Sequence, residues 1–316
     1  MTQTATTAAT AAEAKMDSKP MGYVNGQMLP KSQAGINVFD HGLLYGDGVF
    51  EGIRIYRGRI FKLEQHLDRL YECAGRIRLD LAKHVSRDEM TQIMRRCIEA
   101  NELTEGYIRL VVTRGVGTLG LNPFLCPEPG VVCIADQIQL YTDEMDEQGM
   151  RVGGADRPRI PVECLDPRIK SLNYLNNILA KVEAIDAGCL ECIMLNTDGR
   201  VAEGSGDNIF AVKDGELHTP PVTEGLLEGI TRRFVIDTLA PMAGIPVNER
   251  NLELQEVMDA DELFMTGSAA EMIAVTSSGK TEQDAHVIGS GAEGPITKAL
   301  RAKFRQIVTS DNVPED

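Results

Sequence analysis

The spacing of apolar residues is the feature that most constrains this chain. It alternates between helical and extended periods along most of the 316 residues, from about Gly22 onward, without settling into a strict βαβ repeat. No internal repeat is visible. That order predicts an α+β fold, with helices and sheets in layers and two domains, each able to bury its own core. Gly22-Tyr23-Val24-Asn25-Gly26 reads as a hairpin turning at Asn-Gly, and the stretch from Ile53 to Phe61 as a second hairpin turning near Gly58. Leu63, Leu67, Leu70, Ala74 and Ile77 make one helical stripe. Ser86 and Glu89 form a capping box for a second helix carrying Met90, Ile93, Met94 and Cys97. Strands are expected over 107–113 and 131–135.

The polar, acidic stretch 137–149 reads as a linker, which sets a small N-terminal domain at 20–136 and a larger one at 150–316. The Thr/Ala-rich segment 1–19 reads as a disordered tail. In the second half, strands are expected at 150–152, 192–196, 208–212, 263–265 and 272–275. A helix over 231–242 should fray at Pro241, and Ile296, Leu300, Phe304 and Ile307 mark a closing helix.

A net charge of −15 argues against nucleic acid or an anionic membrane surface as the main partner, since both require a basic face. No apolar run approaches the ~20 residues of a membrane span. The tail has neither the charged and apolar regions of a secretory signal nor the arginines of a transit peptide. Seven cysteines scattered through apolar segments fit a reducing compartment, so a cytoplasmic location is expected. Cys189-Leu190-Glu191-Cys192 reads as buried packing, with a redox role as the lesser alternative. The five histidines show no metal-ligand spacing, and no metal is expected.

One lysine stands at an element junction. In Pro167-Arg168-Ile169-Lys170-Ser171-Leu172-Asn173-Tyr174-Leu175, the proline stiffens an extended segment, and Leu175, Leu179, Val182 and Ile185 then recur at helical spacing up to Gly188. A lysine in such a place becomes a Schiff-base former if burial or a nearby cation frees its amine. Alone, Lys170 would be read as an ordinary solvated lysine. Three other stretches change that reading. Glu203-Gly204-Ser205-Gly206-Asp207-Asn208 sets a carboxylate before a glycine-rich turn. Leu226-Leu227-Glu228-Gly229-Ile230-Thr231-Arg232 opens a helix, and Thr266-Gly267-Ser268-Ala269-Ala270-Glu271 places small residues after a strand. Each alone is a common loop or cap. Together they supply an amine, a carboxylate and two anion-capable turns, the set a pyridoxal phosphate site requires.

The chain resembles the fold-type IV (class IV) pyridoxal-phosphate aminotransferases, and among them the branched-chain amino acid aminotransferases. The resemblance runs from about Gly22 to Val308. It rests on Tyr45-Gly46-Asp47-Gly48-Val49-Phe50-Glu51-Gly52-Ile53-Arg54, His66-Leu67-Asp68-Arg69-Leu70, Tyr107-Ile108-Arg109 and the four stretches above. It implies a two-domain D-amino acid aminotransferase-like architecture with the cofactor at the domain interface. It also implies that Lys170 carries the cofactor aldehyde as a Schiff base and then shuttles the substrate proton. Glu203 would pair with the pyridine N–H, while Arg69, Ile230, Thr231 and Ser268 would hold the phosphate. Tyr174 would lie near the phenolic oxygen, and Leu227 would pack on the ring. For the substrate, Tyr45, Phe50 and Tyr107 would wall the side-chain pocket. Arg54 would tune its entrance, Arg109 would meet the distal carboxylate of glutamate, and the backbone of Ser268 and Ala269 would take the α-carboxylate. The implied reaction moves the amino group of L-leucine, L-isoleucine or L-valine to 2-oxoglutarate, in a homodimer or a higher homo-oligomer. A D-amino acid or (R)-amine transaminase on the same scaffold is the alternative, and a non-enzymatic ligand-binding α+β protein is the rival from another class.

Overall fold

The computed structural model describes residues 20–138, 145, 148–281, 283–310 and 313–315. The expectations for the 1–19 tail and for most of the 137–149 linker fall outside the described residues. The chain divides into two units. The first takes the chain up to Ile138 together with Lys170–Leu172 and Val313–Asp316; the second takes Gln139–Ile169 and Asn173–Asn312.

The first unit is built on a six-stranded sheet ordered β2-β1-β6-β5-β3-β4. Its strands are β1 (Met21–Val24), β2 (Gln27–Pro30), β3 (Gly48–Tyr56), β4 (Arg59–Ile60), β5 (Gly106–Thr113) and β6 (Gly130–Asp136). Both expected hairpins form, turning at Asn25-Gly26 and Arg57-Gly58 with positive φ at all four residues. The short helix α1 (His41–Tyr45) is capped by the Asp40 side chain. α2 (Leu63–Arg76) packs on β3 through Leu63, Leu67, Leu70 and Ala74. Each fully buried leucine contributes about 1.5–3 kcal/mol. α3 (Arg87–Ala100) starts where the Ser86 hydroxyl accepts from the Glu89 N–H, and it packs on β1 and β6.

The second unit holds a nine-stranded sheet, ordered β12-β11-β10-β13-β14-β7-β8-β9 with β15 also on β14. These are β7 (Met150–Gly154), β8 (Cys192–Leu195), β9 (Val201–Glu203), β10 (Asn208–Lys213), β11 (Glu216–Thr219), β12 (Val247–Glu249), β13 (Glu262–Gly267), β14 (Glu271–Ser278) and β15 (His286–Val287). Phe210 and Phe264, paired across β10 and β13, stack at 5.0 Å and anchor its centre.

α4 (Leu175–Asp186) begins five residues after Lys170 and ends near Gly188, whose φ is +69°. Most of its expected apolar stripe does not enter the core of its unit. Leu175, Val182 and Ile185 are 64%, 45% and 57% exposed, Leu179 is half-buried, Ile178 beside them is 55% exposed, and the buried side is Asn177, Ala180 and Ala184. Small residues there let the helix approach Cys189, Cys192 and Met194 closely. Pro241 does not fray its helix. α5 (Ile230–Phe234) widens into a π turn (Val235–Leu239) and continues as α6 (Ala240–Ala243). A proline ring clashes with the carbonyl four residues back, here Asp237, and the wider turn relieves that contact. α7 (Leu254–Met258) and α8 (Pro295–Val308) complete the unit, and α8 buries Leu300 and Phe304 as expected. No helix among the described residues is long and apolar enough to cross a membrane.

Candidate active site

In the first unit, the Lys170 segment lies against the start of β3. The Phe50 N–H donates to the Lys170 carbonyl (3.0 Å), the Leu172 N–H to the Gly48 carbonyl (2.9 Å), and the Lys170 N–H to the Cys73 sulfur of α2 (3.3 Å). Both peptide groups of the lysine are thus held, while Nζ sits 4.6 Å from the centre of the Phe50 ring. Gly48 permits this approach, because a Cβ there would stand 2.7 Å from a Leu172 methyl.

Strand alternation sorts the neighbouring side chains. Phe50, Gly52 and Arg54 share one face of β3, opposite Val111, Arg109 and Tyr107 of β5. There the Arg109 guanidinium lies 4.6 Å from the Phe50 ring and 5.6 Å from Tyr107, whose hydroxyl it meets at 3.5 Å. Gly52 makes room for that ring, since a Cβ would fall 1.8 Å from the Tyr107 oxygen. Arg54 sits over Tyr56, and Tyr45, at the end of α1, packs edge-on against His41. On the other face Glu51 is fully buried. It takes Arg69 on both oxygens at 2.7 and 2.8 Å and accepts from His66 Nδ1 at 2.7 Å. Burial alone would raise its pKa, but the Arg69 and His66 charges and hydrogen bonds outweigh it and hold the carboxyl far below its ordinary value. Burial, partly offset by Glu51, pushes His66 down.

In the second unit, Glu203 ends β9 and is buried. Its Oε1 accepts from Arg159 Nε at 2.8 Å, and its Oε2 from Asn208 Nδ2 at 3.2 Å and the Leu227 N–H at 3.1 Å. Arg159 also reaches Asn177 on α4, which in turn donates to the Ser205 carbonyl. Asn208 also donates to the Leu227 carbonyl, pinning that loop to the carboxylate. Ile230 and Thr231 open α5, with Thr231 buried. Ser268 and Ala269 lie in the tight turn between β13 and β14. Tyr174 is the half-buried residue just before α4. Arg159 and the Glu51–His66 pair were not singled out as site groups by sequence reasoning. Arg159 lies in a plain Arg-Pro-Arg-Ile-Pro run, and only Glu51 and His66 lay inside stretches already marked. Cys189 and Cys192 are buried, and burial pushes both thiols up, the opposite of what a redox-active cysteine needs.

The Amino-transferase class IV family matches residues 48–278. A Methanocaldococcus jannaschii protein is 47% identical over 287 residues, 91% of this chain and 96% of its own. The branched-chain-amino-acid aminotransferase of Escherichia coli is 35% identical over 304 residues, 94% and 96%. A D-alanine aminotransferase from Bacillus licheniformis is 34% identical over 287 residues, 91% and 96%. Among solved structures, the branched-chain amino acid aminotransferase from Thermobaculum terrenum in its PLP-form superposes with a TM-score of 0.79 at 31% identity, covering 93% of this chain and 95% of that one. The chain belongs to the class IV aminotransferases, which depend on pyridoxal 5'-phosphate and have the two-domain fold-type IV architecture.

The residues present fit that cofactor. Glu203 is a buried carboxylate with three donors, suited to a protonated ring nitrogen. The loops beside it are stripped of side chain: a Cβ at Gly229 would stand 2.0 Å from Asn208 Oδ1, and one at Gly267 2.0 Å from Asp207 Oδ1. Just before the Ser268 turn, the buried Thr266 hydroxyl finds no partner among the described residues. A phosphate or carboxylate acceptor would satisfy it.

Proposed function

We propose that the protein is a branched-chain-amino-acid aminotransferase, transferring the amino group of L-leucine, L-isoleucine or L-valine to 2-oxoglutarate. One observation carries the substrate class: Arg109 lies over Phe50 beside Tyr107, so a single face offers aromatic walls for an aliphatic chain and a cation for a dicarboxylate. The two substrates must use one site in turn, and this pairing lets each find a complement. The branched-chain relatives support the same reading.

Pyridoxal 5'-phosphate, when bound, supplies the carbonyl carbon for the amine and a ring that takes up the electrons of the substrate Cα–H bond. Lys170 would hold the cofactor through Nζ, and the same amine would take the proton from the substrate Cα. Its backbone is held by β3 and Cys73, which leaves positioning of Nζ to the side chain. Glu203 would keep a proton on the ring nitrogen, and Arg159, Asn208 and the Leu227 N–H orient its carboxylate for that. Leu227, held by that network, would pack on the ring, and Tyr174 would orient the phenolic oxygen. Arg69, Ile230, Thr231 and Ser268 are the residues that would bind the phosphate. Ser268 and Ala269 take the α-carboxylate through backbone N–H groups, and Arg54 and Tyr45 border the pocket.

The alternative, a D-amino acid transaminase, draws on the Bacillus licheniformis relative and is separated by rate. Single-turnover rates of the yellow holoprotein should be at least about 100-fold higher with L-leucine than with D-alanine, the scale on which a shaped pocket discriminates. Faster turnover of D-alanine would refute the branched-chain assignment.

The exposed Leu175, Ile178, Val182 and Ile185 on α4, and the exposed Val38, Phe39 and Leu43, support a homodimer or a higher homo-oligomer. Sedimentation should give at least twice the 34.5 kDa chain mass, and Val182→Glu should shift it toward one chain. A wild-type monomer would contradict this. Seven free thiols accord with a cytoplasmic location.

A further inference from the structure

The Glu51 carboxylate occupies a position that sheet alternation reserves for an apolar side chain. Its neighbours on that face of β3, Val49 and Ile53, are fully buried, and so is Glu51 itself. A charge there is expensive unless it has a directional task. Both its oxygens are used. Arg69 meets it through Nε and Nη2 in a fork, and His66 closes the remaining side from one turn earlier on α2. His66, Arg69 and Cys73 follow at i, i+3 and i+7, so one face of α2 carries the Glu51 contacts and the sulfur that holds the Lys170 peptide.

We propose that Glu51, backed by His66, is a positioning residue for the cofactor phosphate: it fixes the plane of the Arg69 guanidinium and so the orientation that Arg69 presents to that phosphate. This rests on the reading of Arg69 as a phosphate ligand. Net charge predicts the opposite of positioning. A carboxylate beside Arg69 weakens its pull on a phosphate dianion, so removing the charge should tighten phosphate binding if orientation were irrelevant. The sign of the effect therefore separates the two.

The test is titration of the full-length chain, freed of cofactor, with pyridoxal 5'-phosphate and separately with pyridoxal. Glu51→Gln should weaken the phosphorylated form by about ten-fold or more, the scale of a lost charged hydrogen bond, and change pyridoxal by less than about two-fold. In an Arg69→Ala background, Glu51→Gln should add nothing further. Unchanged or tighter pyridoxal 5'-phosphate binding, or equal loss for both ligands, would overturn the proposal; equal loss would mean that Glu51 only braces the fold. If Arg69→Ala alone left pyridoxal 5'-phosphate affinity unchanged, the Arg69 reading would fail, visibly and first, and this inference with it. Should Glu51→Gln not fold by circular dichroism, His66→Gln removes the Nδ1 contact and keeps the Glu51–Arg69 pair. It should weaken only the phosphorylated form, by about three-fold, and no change would count against the proposal.

Discussion

Lys170→Ala should lower kcat/KM for L-leucine by at least about 10⁴-fold, the upper end of what one positioned proton-transfer group contributes, because it removes the cofactor tether as well. The fold should survive. Lys170 contributes its backbone to the β3 edge through the Phe50 N–H and its own N–H to Cys73, and alanine keeps both peptide groups. What is lost is Nζ over Phe50. Steady-state kinetics beside circular dichroism separates the two consequences: full activity would remove Lys170 from the mechanism, and loss of structure would make it a folding residue.

Glu203→Gln should reduce kcat by about 10²–10³-fold, the scale found when one preorganised electrostatic partner of a reacting group is removed. The amide keeps the shape and can still accept from Arg159, but it offers no charge to hold a proton on the ring nitrogen. The change should fall mainly on kcat, since the role proposed for Glu203 concerns the step in which charge develops on the ring and not amino acid binding. A KM effect with kcat preserved would contradict the role. Arg159 would then be left as a buried cation facing a neutral amide, so the variant should also be less stable to heat.

Local periodicity made much of the first unit legible in the sequence. The β3–β4 turn at Gly58, the α2 stripe and the pairing partners β5 and β6 follow from spacing that only one face of a sheet or helix satisfies. The grouping of Lys170, Glu203, Thr231 and Ser268 into one proposed site has a different basis, namely that one cofactor demands several unlike groups. The partners of those groups were not legible. Arg159 stands 44 residues from Glu203, and nothing in its own neighbourhood marks it as an ion-pair partner. Glu51 alternates correctly with Val49 and Ile53, so its strand reads well, yet a buried carboxylate is visible only once α2 brings Arg69 against it. The α4 stripe was read correctly as a helix, but periodicity cannot say whether an apolar face meets its own unit's core or lies exposed. Ala180 and Ala184, weak apolar signals, turned out to form the buried side because small residues permit close packing. Pro241 was expected to fray the end of its helix because a single sequence does not show that a π turn can absorb its ring.

Borohydride reduction of the holoprotein followed by mass mapping of its peptides tests the central claim most directly, because it fixes the cofactor to whichever amine holds it. The account predicts one phosphopyridoxyl group per chain, on the peptide containing Lys170. A label on any other lysine, or a protein that takes up no cofactor, would contradict it.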